Sequence, residues 1–228
     1  MGVVIGMNCI TVLYPAGPDI RFDADYYRDR HLVTIMELYG KSIKRFELRK
    51  VLAAPDGSAP AFNAAVNIWI GDQKAFAENG WKHGETLVKD VPNFTNAMPT
   101  IQNDVVYGEA GQDLNAMTVG GRCLTILYPY GNPDTFNHDY YRDSHLPMIM
   151  KLCGTKAISR FELRKGISSQ DGTGAPPYTA TINIYIGDQE AFDEAGKLHN
   201  QTMIDDVPNF SQVHPVIIPT EVYGASGN

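Results

Sequence analysis

Two stretches of this 228-residue chain place a phenol and an imidazole four residues apart. They are Asp25-Tyr26-Tyr27-Arg28-Asp29-Arg30-His31-Leu32 and Asp139-Tyr140-Tyr141-Arg142-Asp143-Ser144-His145-Leu146. On a helix, residues at this spacing are neighbours on one face. A histidine titrates near neutrality and can take or deliver a proton, while a tyrosine hydroxyl can hold a developing oxyanion. His31, Tyr27, His145 and Tyr141 are therefore the candidate catalytic residues. Asp25 and Asp29 lie close in sequence and could orient a ring nitrogen, although their spacing puts neither clearly on the histidine's face. The competing account of each pair is a buried, hydrogen-bonded packing element.

The other polar residues are less directive. His83 and His199 form a second repeated pair, and His138 and His214 occur only in the second half; a surface or helix-packing role accounts for all four. No trio of His, Cys or carboxylates has a metal-binding spacing, and there is no Gly-rich nucleotide loop after a strand, no phosphate loop and no Gly-x-Ser-x-Gly elbow. Neither a metal nor a cofactor is expected. A net charge of -7 argues against nucleic acid or an anionic membrane surface as partner. Three cysteines without C-x-x-C spacing suit a reducing compartment, and the first residues lack the basic and apolar regions of a signal peptide, so a cytoplasmic protein is expected.

The elements that must carry these residues are written twice. Sliding the chain on itself by about 114 to 116 positions aligns residues 9–108 with residues 123–224, with about half the positions identical. Leu13-Tyr14-Pro15 returns as Leu127-Tyr128-Pro129, and Asp90-Val91-Pro92-Asn93-Phe94 as Asp206-Val207-Pro208-Asn209-Phe210. Residues 1–108 and 122–228 are predicted modules, and residues 109–121, with three glycines and little apolar pattern, a linker. Within a copy, residues 9–14 alternate as a half-buried strand does, and Asp23 (Asn137 in the second copy) caps a helix that Gly40 closes. Residues 45–52 and 62–70 predict a hairpin around Pro55-Asp56-Gly57, Asp72 caps a second helix to about Val88, and residues 98–107 supply a last strand. Asp-Val-Pro-Asn-Phe reads as a loop whose proline and asparagine set a turn while its aromatic plugs the core. The order βαββαβ, twice, predicts two ferredoxin-like α+β modules.

The third strand has two unlike faces. Val66, Ile68 and Ile70 point one way, toward the helices; Ala65, Asn67 and Trp69 point the other, as Thr181, Asn183 and Tyr185 do in the second copy. With Arg45, Glu47 and Arg49 beside it, this second face is too polar for an ordinary core and needs a partner sheet, water or a ligand. Asn67 with Trp69, and Asn183 with Tyr185, are candidate substrate-binding residues, a polar group and an aromatic wall. The same residues serve equally as contacts between two facing sheets.

Leu-Tyr-Pro, then Phe-x-x-x-Tyr-Tyr-x-x-x-His-Leu, a central hairpin, Asp-Val-Pro-Asn-Phe and a final Glu-Val-Tyr-Gly resemble EthD domains over nearly the whole chain, twice in the same order. The family's usual His-x-Pro is matched by His145-Leu146-Pro147, whereas the first copy has His31-Leu32-Val33. The resemblance implies a dimeric α+β barrel, two modules pairing their sheets with helices outside, here as a pseudo-dimer within one chain and compatible with a further homodimer. The repeated Tyr-His pair, taken with this resemblance, leads to a small hydrophobic molecule as ligand and a cofactor-independent proton-transfer enzyme as the expectation: a lyase, cyclase or isomerase acting on a carbonyl or aromatic compound. A non-catalytic binding or accessory protein of a degradation pathway and a cofactor-free oxygenase are the alternatives. Arg30 against Ser144, Val33 against Pro147 and Tyr39 against Cys153 differ near the motif, so the two pockets can have diverged.

Overall fold

The computed structural model describes residues 3–53, 57–131 and 136–227. Strand β1 (Asn8–Pro15) leads into helix α1, which is built from an α-helical turn (Ala24–Tyr26), a π-helical turn (Tyr27–His31) and a longer α-helical segment (Leu32–Tyr39). Then come β2 (Ile43–Val51), β3 (Phe62–Ile70), α2 (Gln73–Phe94) and β4 (Thr100–Gly111). The second copy repeats the order with β5 (Arg122–Pro129), α3 (His138–Tyr140, Tyr141–His145 and Leu146–Ala157), β6 (Ile158–Ser169), β7 (Tyr178–Ile186), α4 (Gln189–Asp205) and β8 (Val216–Gly227). The predicted caps are in place. Asp23 and Asn137 accept from the amides of Tyr26 and Tyr140, and Asp72 from that of Ala75; Asp188, which the repeat aligns with Asp72, likewise accepts from the Ala191 amide. Of the predicted hairpin turn, Pro55 and Asp56 lie outside the described residues.

The eight strands close into one antiparallel barrel in the order β1-β3-β2-β8-β5-β7-β6-β4. Each module contributes four strands, and the seams join unlike halves: β8 pairs with β2, and β4 with β6. Among the described strands closure leaves no edge unpaired. The apolar strand face packs on the helices as expected, with Val66, Ile68 and Phe46 gathered around Tyr27, Ile35 and Phe94, and Ile182, Ile184 and Phe161 around Tyr141, Ile149 and Phe210. Among the described residues no helix is long and apolar enough to cross a membrane.

The polar face fills the barrel. Glu47 accepts from Arg45, Arg49 and, across the barrel, the hydroxyl of Tyr185 at 3.0 Å; Glu162 accepts from Arg160, Arg164 and the indole of Trp69 at 3.3 Å. Each module thus supplies an aromatic donor to the other's glutamate. Asn67 accepts from Arg49 and from the Asn183 amide, and donates to Thr11. Burying these charges is tolerable only because each carboxylate is met by several donors.

The expected linker is different in kind. Strand β4 runs on through Gly111, Arg160 donates to Glu109 at 2.6 Å, and Met117 O accepts from Arg45. Leu114 is fully buried against Val3, Cys9, Trp69, Cys123 and Tyr185 at one end of the barrel. From this segment Leu114 is buried in that cluster and Met117 packs against it, a pattern too sparse to register as periodicity. Gly111 also has a structural duty. At φ +97° it passes so close to β6 that a Cβ would sit 2.3 Å from the Ser159 carbonyl oxygen.

Candidate active site

The site begins with a local departure from helix geometry. At the motif, the Leu32 amide donates to Tyr27 O and the Leu146 amide to Tyr141 O, five residues back instead of four. Such π turns are uncommon inside helices and recur at functional sites. They bring the phenol and imidazole rings to centroid separations of 4.9 Å for Tyr27 and His31 and 4.8 Å for Tyr141 and His145. Both histidines are buried, on the face turned toward the sheet and the second helix.

Neither histidine is oriented by Asp25 or Asp29. Those carboxylates face Arg28, which lies over the Tyr223 ring, while the Tyr223 hydroxyl donates to Asp25. The orienting group is Asp90 in the first module and Asp206 in the second, each 2.7 Å from the histidine Nδ1. The other oxygen of each carboxylate accepts from a tyrosine hydroxyl and an asparagine amide: Tyr26 at 2.9 Å and Asn93 at 2.8 Å, and Tyr140 and Asn209 both at 2.8 Å. Phe94 and Phe210 lie against the imidazoles at 4.7 Å and 4.5 Å between centroids.

The repeated Asp-Val-Pro-Asn-Phe is therefore part of the site and is not merely a turn. In the first module it is the last turn of α2, with Pro92 inside the helix; in the second, α4 ends at Asp205 and Val207–Asn209 forms a 3-10 turn. A proline in a final turn breaks little, and the Asp and Asn three residues apart meet on one face. That spacing, in a segment duplicated without change, was the signal available in the sequence. The plugging role expected of its phenylalanine is correct: Phe94 and Phe210 are buried.

A carboxylate can only accept, so Nδ1 carries the proton and Nε2 is the nitrogen left for a ligand. Burial lowers the pKa of His145 below the ordinary 6.5, outweighing the opposite pull of Asp206, and His31 behaves alike. Burial also works to raise Asp206, but hydrogen bonds from His145, Asn209 and Tyr140 outweigh it and hold the carboxyl below its usual range. The resting pair is a neutral imidazole on a carboxylate. Burial pushes Tyr141 and Tyr27 well above the ordinary phenol value, so both stay protonated and able to donate.

In the second module this arrangement opens onto a cavity of about 860 Å³ between the outer face of the sheet and helices α3 and α4. The volume is in the range of small-molecule sites. Tyr128, Tyr141, His145, Asn200, Ser211, Gln212 and His214 are its polar lining residues; Leu, Ile, Val, Phe and Met side chains make most of the rest, and no Lys, Arg, Asp or Glu lines it. His214, assigned by the sequence to a surface or packing role, stands exposed on the cavity wall.

The candidate substrate-binding residues are placed elsewhere. Asn67, Trp69, Asn183 and Tyr185 point into the barrel, at most 2% exposed and engaged with Arg49, Glu47 and Glu162. They are contacts between the two sheets, because a strand's alternate residues cannot reach the helix-side cavity. Among the described residues no three His, Cys, Asp or Glu side chains converge in a metal-holding group.

A closed barrel of two βαββαβ halves with helices outside defines the dimeric α+β barrel group, and this chain has that fold in a single polypeptide. No protein-family model matches the sequence, and no curated protein is similar to it. Among solved structures, an anthrone oxidase-like protein superposes over 98% of this chain and 93% of its own, at 10% identity and a TM-score of 0.58. A protein from Fusobacterium nucleatum to which monooxygenase activity has been ascribed covers 99% of this chain and 95% of its own, at 6% identity and a TM-score of 0.61. At these identities the likeness is one of fold. An EthD-like protein from Ralstonia eutropha is 26% identical over 46% of this chain and 93% of its own, with a TM-score of 0.42.

The protonation state makes a pH prediction. If neutral His145 acts as a base, kcat/KM is level above neutrality and falls only below a midpoint under 6.5. The unfolded chain binds the proton at its ordinary value and the folded chain only at a lower pH. His145 therefore contributes to stability fully above 6.5, and that contribution is lost as pH drops through its folded value. A pH-rate profile with its acid limb at or above 6.5 contradicts the assignment.

Proposed function

We propose that the second module is a proton-transfer site for an uncharged, largely apolar aromatic or carbonyl compound, and that molecular oxygen consumes the resulting carbanion. The observation that carries this reading is His145, its Nδ1 held by Asp206, presented to an apolar cavity beside a phenol that keeps its proton. A lining without fixed charge favours a neutral ligand, and in so apolar a space an oxyanion needs a donor nearby. Nε2 takes a proton from an acidic carbon, and the charge moves to the substrate oxygen, where the Tyr141 hydroxyl donates to it. Oxygen adds to the carbon as a peroxide, which loses water to leave a ketone, so that a methylene and one O2 give a carbonyl and one water. The descriptions of the two full-length structural neighbours favour this oxygenase reading; nothing comparable favours a lyase, cyclase or isomerase, which begins with the same proton abstraction.

The test uses anthrone, a tricyclic ketone with an acidic methylene, in an oxygen-electrode assay with product analysis. The expected result is uptake of one O2 per anthraquinone formed, above the uncatalysed rate. Anthrone that binds without any oxygen uptake or product points instead to a binding protein. Consumption without oxygen uptake restores the lyase or isomerase class.

A further inference from the structure

The two copies share the His-Asp-Tyr-Asn arrangement but not the space in front of it. Most residues lining the second-module cavity have a like counterpart in the first: Tyr128 matches Tyr14, Ile149 matches Ile35, and Phe192 matches Phe76, whereas Asn200 and His214 align with Gly84 and Met98. The largest exception is Cys153, which lines the cavity and whose counterpart is Tyr39, the last residue of α1. Tyr39 is 8% exposed, and its ring lies 4.8 Å from that of Phe76. Its hydroxyl reaches α2, within 3.6 Å of where a Cβ on Gly80 would stand; at the matching Gly196 nothing lies within 4 Å of that point. The same spot on the second helix is thus filled in one copy and open in the other.

We infer that Tyr39 is an internal plug: it occupies the ligand space of the first module, so the chain holds one working ligand site and one closed site whose polar machinery is intact. The ligand excluded is the neutral polycyclic class that the second cavity accepts. The inference rests on the cavity assigned above as ligand site, but not on the reaction proposed for it. Replacing the phenol by the small side chain found at position 153 opens the first site, and the reverse exchange shuts the second. Opening the plug exposes His31, which Asp90 already orients.

The experiment is a fluorescence titration with Nile red, an uncharged polycyclic dye, on the full chain and its variants. The expected stoichiometry is one dye per chain for the wild type, none for Cys153→Tyr, two for Tyr39→Cys and one for the double variant. Two dyes bound by the wild type, or none, overturns the inference, as does undiminished binding by Cys153→Tyr. Folding is checked by far-ultraviolet circular dichroism. Should Tyr39→Cys misfold, Tyr39→Phe keeps the ring and should stay at one dye, and Tyr39→Ala should reach two; one dye on folded Tyr39→Ala sinks the idea. An activity arm is separate. Adding Tyr39→Cys to His145→Gln should restore anthrone oxidation if the reaction is right, whereas a failed reaction leaves the dye counts standing.

Discussion

His145→Gln should lower kcat/KM for oxygen-dependent turnover by about 10²- to 10⁴-fold, the usual contribution of a positioned general base. Glutamine keeps the polar volume but has no basic nitrogen to hold the substrate's proton. The matching His31→Gln should leave turnover unchanged, because Tyr39 fills the space its imidazole would serve. The two substitutions sit in nearly identical surroundings, at 4% and 5% exposure and with the same 2.7 Å carboxylate contact, so any general loss of stability should be shared. Steady-state kinetics on both variants, with thermal unfolding alongside, separates the two outcomes. Equal losses from both histidines would make each a packing element or both sites active. No loss from either would remove proton transfer by these residues altogether.

Glu162→Ala should cost about 3 to 5 kcal/mol of stability, the range seen when one partner of a buried ion pair is removed. Its carboxylate is fully buried and receives Arg160, Arg164 and the indole of Trp69. Removing it takes a buried acceptor from all three donors, of which Arg160 keeps Glu109 and the Gln112 carbonyl and Arg164 keeps a longer ion pair with Asp104. Arg164 is also fully buried, and its Nε and one terminal nitrogen already lack a hydrogen-bond partner. Glu109, which Arg160 also contacts, lies nearer the solvent, so Glu109→Ala should cost no more than about 1 kcal/mol. Urea unfolding of the two variants tests the contrast. A small loss for Glu162→Ala would mean that the barrel interior admits water to its charges.

Much of the fold was legible because duplication doubles every signal. The N-caps at Asp23, Asn137, Asp72 and Asp188, the alternating strands and the βαββαβ order are local patterns, and the barrel follows from pairing two such sheets. The unusual polarity of Arg45, Glu47, Arg49 and Asn67 correctly required a partner for that face, but its chemistry did not say whether a sheet or a ligand would meet it. Closure of the eight strands into one barrel decided that, and with it Asn67, Trp69, Asn183 and Tyr185 went to the interior. The Tyr-His pair was visible because both residues lie within one turn. Its carboxylate was not, since Asp90 and Asp206 come 59 and 61 residues later and reach the histidines only through tertiary packing. The π turn, a local shift in backbone hydrogen bonding, leaves no mark in residue type. Leu114 was missed because one buried leucine carries no period.

The seam between β2 and β8 also bears on how the molecule is made. Strand β2 is synthesised well before β8, yet the Val216–Gly227 strand is one of its two hydrogen-bonding neighbours. Throughout translation of the second half, that flank of the nascent first module carries free amides and carbonyls, a template that other chains can join. The first half cannot close into the barrel until β8 pairs with β2. A tandem barrel of this kind trades the concentration dependence of two-subunit assembly for a waiting period, and its vulnerability to misassembly is set by how long the last strand takes to arrive.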